Sequence, residues 1–114
     1  MEDCIFCKII NGKIPGDIVY RDDEIVVFKD IAPLTPAHLL VIPVRHIASL
    51  TDLAPTDNIL MGNMVAVANK VAKEQGLSES GYRLVINSGK HGGQVVFHLH
   101  MHLLGGRQMS GNFD

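Results

Sequence analysis

In the run His98-Leu99-His100-Met101-His102-Leu103-Leu104, imidazoles alternate with apolar side chains. No other feature constrains the fold so tightly. On a β-strand successive side chains point to opposite faces, and residues two apart lie roughly 6.5–7 Å from each other on one face. The pattern predicts a strand over 97–104. One face carries His98, His100 and His102, and the other sends Leu99, Met101 and Leu103 into a core. Aligned imidazoles pack poorly, but they suit a phosphate or a metal, because near neutral pH the ring can be nucleophile, acid, base or ligand.

A chain of 114 residues fits one domain, residues 1–114, able to bury a core without disulfides. Its net charge of -2, with lysines and arginines scattered, leaves no basic footprint for nucleic acid. The opening Met1-Glu2-Asp3-Cys4 is acidic and lacks the layout of a signal peptide. No apolar run approaches the ~20 residues that span a bilayer. These features predict a cytoplasmic protein without a membrane partner. Cys4 and Cys7 then read as thiols or metal ligands.

The remaining elements follow from periodicity. Ile5, Phe6, Ile9 and Ile10 suit a short helix over 4–11 that stops near Asn11-Gly12. Strands are predicted over 18–20 and 25–28, joined as a hairpin, and a third over 39–42, closed by Pro43. Pro33 and Pro36 mark an extended loop between 30 and 38. Leu60, Met64, Val67, Ala68 and Val71 recur at helical spacing, with Thr56-Asp57 as caps and Gly76 as the stop. A fourth strand covers 82–86. The expected class is α+β: a five-stranded, mainly antiparallel sheet with one long and one short helix.

The loop Asn87-Ser88-Gly89-Lys90-His91-Gly92-Gly93 precedes the alternating run. Glycines let backbone N–H groups approach an anion, although glycine also marks plain turns. Two chemistries compete for the histidines. One is a chelated metal. The other is phosphoryl or nucleotidyl transfer, with one imidazole attacking phosphorus and a neighbour carrying positive charge against the phosphate oxygens. The loop favours the second. His91, within the loop, reads as exposed rather than as a ligand.

The pattern of three histidines, each followed by an apolar residue, resembles the signature of the histidine triad superfamily. The resemblance runs from Ile5-Phe6-Cys7-Lys8-Ile9-Ile10 to Gly105-Gly106-Arg107-Gln108. Lys13-Ile14-Pro15, Asp30-Ile31-Ala32-Pro33, Pro36-Ala37-His38-Leu39-Leu40-Val41-Ile42-Pro43, Gly81-Tyr82-Arg83, Asn87 and Gly92-Gly93-Gln94 match its Hint branch, the purine nucleoside phosphoramidases. The resemblance implies that His100 is the nucleophile, forming a nucleotidyl-imidazole that water hydrolyses. His102 matches the phosphate-contacting histidine, while His98 and His38 match positions that orient or charge the nucleophile. Asn87 and Gly93 match phosphate-side contacts. Phe6, Ile9, Ile14, Phe28, Asp30 and Ile31 match the nucleoside pocket, with Asp30 on the ribose hydroxyls. Ile9, Ile14, Phe28 and Ile31 are equally readable as ordinary core, and Asp30 as a loop cap.

Retention of His102, where the uridylyltransferase branch carries glutamine, implies hydrolysis rather than transfer. One departure stands out. Many Hint proteins carry serine three residues before the first triad histidine, close to the scissile phosphate. Here Val95 occupies that substrate-facing position and has no hydrogen-bonding side chain. The tail, ending Met109-Ser110-Gly111-Asn112-Phe113-Asp114, also differs from the eukaryotic form.

The Cys4–Cys7 spacing lets two thiolates reach one ion. Some members of the superfamily complete a structural zinc site with two histidines, whose positions match His46 and His98. No catalytic cofactor is implied. The resemblance therefore implies a hydrolase of purine nucleoside 5′-phosphoramidates that acts as a homodimer, with sheets joined and the helix over 57–75 against the partner. Alternatives are a dinucleoside polyphosphate hydrolase, a purine-nucleotide-binding module with residual activity, and a metalloenzyme using all three triad histidines.

Overall fold

In the computed structural model residues 3–114 are described; the acidic opening Met1-Glu2 lies outside them. Helix α1 (Ile5–Ile10) is followed by strands β1 (Ile18–Arg21), β2 (Ile25–Lys29) and β3 (Ala37–Pro43). Helix α2 (Asn58–Glu74) comes next, then β4 (Tyr82–Ile86) and β5 (Met101–Gly105). The strands form one sheet in the order β1-β2-β3-β5-β4, and every neighbouring pair is antiparallel. The predicted class holds.

The period of two divides the apolar residues between two cores. Ile25, Val27, Leu39, Val41, Met101 and Leu103 face α2, which contributes Met64, Val67, Ala68 and Val71. Val26, Phe28, Leu40 and Ile42 face the other way, against Phe6 and Ile10 of α1. Each buried Val, Leu, Ile or Phe contributes about 1.5–3 kcal/mol, so both faces anchor the sheet. Ahead of α2, Asp57 accepts the N–H of Ala54 at 2.8 Å and pairs with Arg45. The helix stops where Gly76 takes φ +76°. There Gly76 N–H donates to Lys73 and Leu77 N–H to Ala72, satisfying the last carbonyls.

Two strand boundaries differ from the sequence reading. β3 begins at Ala37 rather than at residue 39, so His38 lies within the ladder, paired with Leu104. β5 begins only at Met101, whose partners Val41 and Ile86 are the last on either side. Residues 97–100 run on beyond the ladder. The carbonyls that would otherwise bond to neighbouring strands are taken by imidazoles, as described next. Alternation nevertheless persists: Leu99, Met101 and Leu103 are buried in the α2 core.

Candidate active site

His98, His100 and His102 follow one another along the α1 side of the sheet. His38 reaches the same side from β3, one diagonal step from His102, because Leu40 is the direct partner of His102. His100 and His102 meet with ring centroids 5.0 Å apart and His38 and His102 at 5.2 Å. Phe6 of α1 sets its ring edge-on to His98, His100 and Phe28, at 5.9, 5.2 and 5.4 Å. His98 and His100 are buried, and His102 is half-buried.

On His38 and His100 the proton is set by a backbone group that can only donate or only accept, and His102 follows from His38. The N–H of Leu34 donates to His38 Nδ1 at 3.0 Å. The proton of neutral His38 must therefore sit on Nε2, which lies 2.9 Å from His102 Nδ1 and 3.5 Å from Asp30 Oδ2. His102 Nδ1 is then an acceptor, and its Nε2 carries the hydrogen. The carbonyl of His98 lies 2.7 Å from His100 Nδ1. A carbonyl accepts only, so Nδ1 is protonated and His100 Nε2 keeps its lone pair. That is the tautomer a nucleophile needs.

Burial disfavours charge on these rings. It pushes His102 down from the ordinary 6.5 to about 4, with His100 and His38 adding repulsion and Asp30 opposing. His38 is lowered too, chiefly by burial, against the pull of Asp30. At neutral pH this keeps His102 an uncharged N–H donor.

The glycine loop folds on itself. Gly92 N–H and Gln94 N–H both donate to Gly89 O, and Gly93 N–H donates to Lys90 O at 3.1 Å. Asn87 donates through Nδ2 to the carbonyl of Gly92 at 2.8 Å. Among the described residues, the N–H groups of Val95 and Val96 meet no acceptor. Of the nucleoside-pocket candidates, Phe6 and Phe28 are buried beside the histidines, while Ile9 and Ile14 are half-buried. Ile31 is almost fully exposed at 97%, so it is not core. Asp30 uses Oδ1 to accept the N–H of Ala32 at 2.8 Å, leaving Oδ2 beside His38. Val95 projects into solvent, and His91 is exposed.

Residues 3–113 match the family described as scavenger mRNA decapping enzyme C-term binding. Purine nucleoside phosphoramidase of Escherichia coli (strain K12) is 48% identical over 108 residues, covering 95% of this chain and 91% of that protein. The chain belongs to the histidine triad family. A HIT family hydrolase from Legionella pneumophila is 50% identical and superposes with a TM-score of 0.93, covering 96% of this chain and 97% of that one. A zinc-bound histidine triad family protein from Mycobacterium smegmatis is 34% identical, with a TM-score of 0.82, covering 96% and 79%.

In this histidine triad chain the first histidine also serves a second cluster. Cys4, Cys7, His46 and His98 bring one ligand atom each within 4.8 Å of all the others. Cys4 Sγ is 3.2 Å and Cys7 Sγ 3.6 Å from His98 Nδ1, and Cys7 Sγ is 3.5 Å from His46 Nδ1. Sulfur and nitrogen ligands around tetrahedral zinc are separated by about 3.6 Å, given its usual bond lengths. The tautomer agrees. His98 Nε2 donates to Pro43 O at 2.7 Å, which leaves the Nδ1 lone pair among the thiols. These four residues fit a structural zinc ion. Asp30, His38 and His102 also converge, but the hydrogen required on His38 Nε2 occupies the place where a metal would need a lone pair. The triad is thus divided, and its histidines do not form a single chelate.

Sequence reasoning missed two contributors. Leu34 sets the tautomer through its N–H, a role no side-chain pattern announces. Gln94 is buried, and its polar side chain between Gly93 and Val95 was the available signal. Among the described residues no helix is long and apolar enough to cross a membrane.

Proposed function

We propose that this protein hydrolyses the P–N bond of purine nucleoside 5′-phosphoramidates, adenosine 5′-phosphoramidate among them, through a nucleotidyl-His100 intermediate. The supporting observation is the bond from His100 Nδ1–H to the His98 carbonyl, which directs an unprotonated Nε2 to the reaction. Attack by Nε2 forms the N–P bond, breaks the P–N bond and releases the amine, which takes up a proton from water. Water then cleaves the nucleotidyl-imidazole and leaves the nucleoside 5′-monophosphate. The His102 N–H, steadied by His38, is placed to donate to a phosphate oxygen. Asn87 and Gly93 lie on the phosphate side, and Phe6, Ile9, Ile14, Phe28, Asp30 and Ile31 on the nucleoside side. The catalytic set is His100, His102, His98 and His38.

Zinc at Cys4, Cys7, His46 and His98 ties α1 to the end of β3, and its part is structural. The reducing cytoplasm suits the two free thiols. Two copies joining through β4 would extend the sheet, because among the described residues β4 pairs with β5 alone and has a free edge. On α2, Ile59 and Val65 remain exposed to meet the partner. Sedimentation equilibrium should return the mass of two chains, and a monomer at micromolar concentration would refute this assembly.

The decisive experiment compares wild type with His100→Gly on a fluorogenic adenosine phosphoramidate. Turnover should fall on the order of 10³-fold or more, with nucleotide binding retained. A variant that works at the wild-type rate refutes the nucleophile. Negligible turnover by wild type itself, with hydrolysis of diadenosine polyphosphates, would move the chain to that activity.

A further inference from the structure

Gln94 is a buried polar residue that the reaction described above does not use. At 5% exposure it is nearly sealed from solvent, yet all its side-chain polar groups are matched. Its Oε1 accepts the N–H of Gly89 at 2.9 Å. Its Nε2 donates to the carbonyls of Ala48 at 2.7 Å and Val96 at 3.0 Å. The main chain tightens the same grip, since Gln94 N–H donates to Gly89 O at 3.0 Å and Gly92 N–H to the same oxygen at 3.2 Å.

One amide therefore joins three pieces of backbone. Gly89 is the start of the loop, held at φ +76° where a side chain would be strained. Val96 is its exit, two residues before His98. Ala48 lies outside the loop, two residues past His46, in the segment whose Ile47 carbonyl accepts the N–H of Leu99 at 2.7 Å. Gln94 thus fixes the glycine loop to the same stretch that anchors the histidine run. Between the clamped points, the N–H groups of Val95 and Val96 are left without an acceptor among the described residues. A buried amide is costly unless every group is paired, and here the pairing locks the loop that leads into the triad.

We propose that Gln94 is a positioning residue for phosphate: it holds the 89–96 loop so that an anion finds preset backbone donors at the entry to the histidine run. The inference rests on the phosphoramidase reading for its catalytic consequence, but its binding consequence stands apart. A substrate's phosphate should feel Gln94, and its nucleoside should not.

The test uses wild type, Gln94→Met, which keeps length and loses every hydrogen bond, and Gln94→Glu, which keeps the acceptor for Gly89. Calorimetry measures AMP and adenosine binding, and steady-state assays measure kcat and KM on adenosine 5′-phosphoramidate. Gln94→Met should bind adenosine within about twofold of wild type but AMP about tenfold or more weakly, with kcat lowered by a similar factor. Gln94→Glu should fall between the two. Equal losses for AMP and adenosine, or none for either, would overturn the proposal.

A wild-type measurement covers variants that do not fold. The Gln94 side-chain amide and the Gly89 N–H should shift in 1H–15N spectra on adding AMP and stay in place with adenosine. Identical shifts with both ligands would also overturn it. If wild type shows AMP-selective binding through Gln94 but no phosphoramidate turnover, the proposed reaction fails and the positioning role survives.

Discussion

Acid should unfold this protein through His102, and the size of the effect can be worked from the site. The folded ring titrates at about 4 instead of 6.5 because burial, His100 and His38 oppose its charge. As pH falls below 6.5, the unfolded chain takes a proton at this position before the folded chain does. Stability is therefore full above about 6.5, declines as pH falls, and levels off below about 4. At pH 4.5 the difference corresponds to about 2.6 kcal/mol, which half-exposure reduces to about 2. Urea titrations at about pH 7.5 and pH 4.5, at fixed protein concentration, measure the loss. His102→Gln supplies the control, because its side-chain oxygen still accepts from His38 and does not titrate. Both proteins share the Cys4/Cys7 cluster, so its own acid response cancels in the difference. Wild type should lose about 2 kcal/mol more than the variant over this interval. Equal losses would refute the claim that the fold holds His102 neutral.

Two further outcomes follow from the packing around the triad. Metal analysis should find about one zinc per chain, and Cys4→Ser with Cys7→Ser should abolish it and lower the melting temperature. Below that temperature the zinc-free protein should still turn over; complete loss of activity in a folded, zinc-free sample would argue for a catalytic metal. Phe6→Ala removes the ring packed on His98, His100 and Phe28 and should cost about 3–5 kcal/mol in urea unfolding. A cost under about 1 kcal/mol would mean that α1 is not anchored through Phe6.

The alternation of histidines with Leu99, Met101 and Leu103 made the sheet and the faces of β5 legible, because side-chain direction depends only on local backbone geometry. The end of the ladder was not legible. Whether residues 97–100 pair with a neighbour depends on which carbonyls Pro43 and His98 offer to imidazoles, a property of three segments far apart in sequence. The neutral state of His102 was not legible for a related reason: its environment is assembled from Asp30, His38 and His100, and only the fold sets their distances. Cys4, Cys7, His46 and His98 were gathered by resemblance, and the chain brings them together. Ile31 shows the limit of residue type as a guide, an isoleucine left almost wholly in solvent.

Position 98 divides its labour between two parts of one residue. The oxygen that steadies His100 belongs to the main chain, which all twenty amino acids share, whereas the attachment to Cys4 and Cys7 belongs to the imidazole. An evolving lineage can therefore exchange or abandon the metal by changing the side chain at 98 without surrendering the carbonyl. Of the three histidines, the first is the one whose ring and backbone answer to different partners.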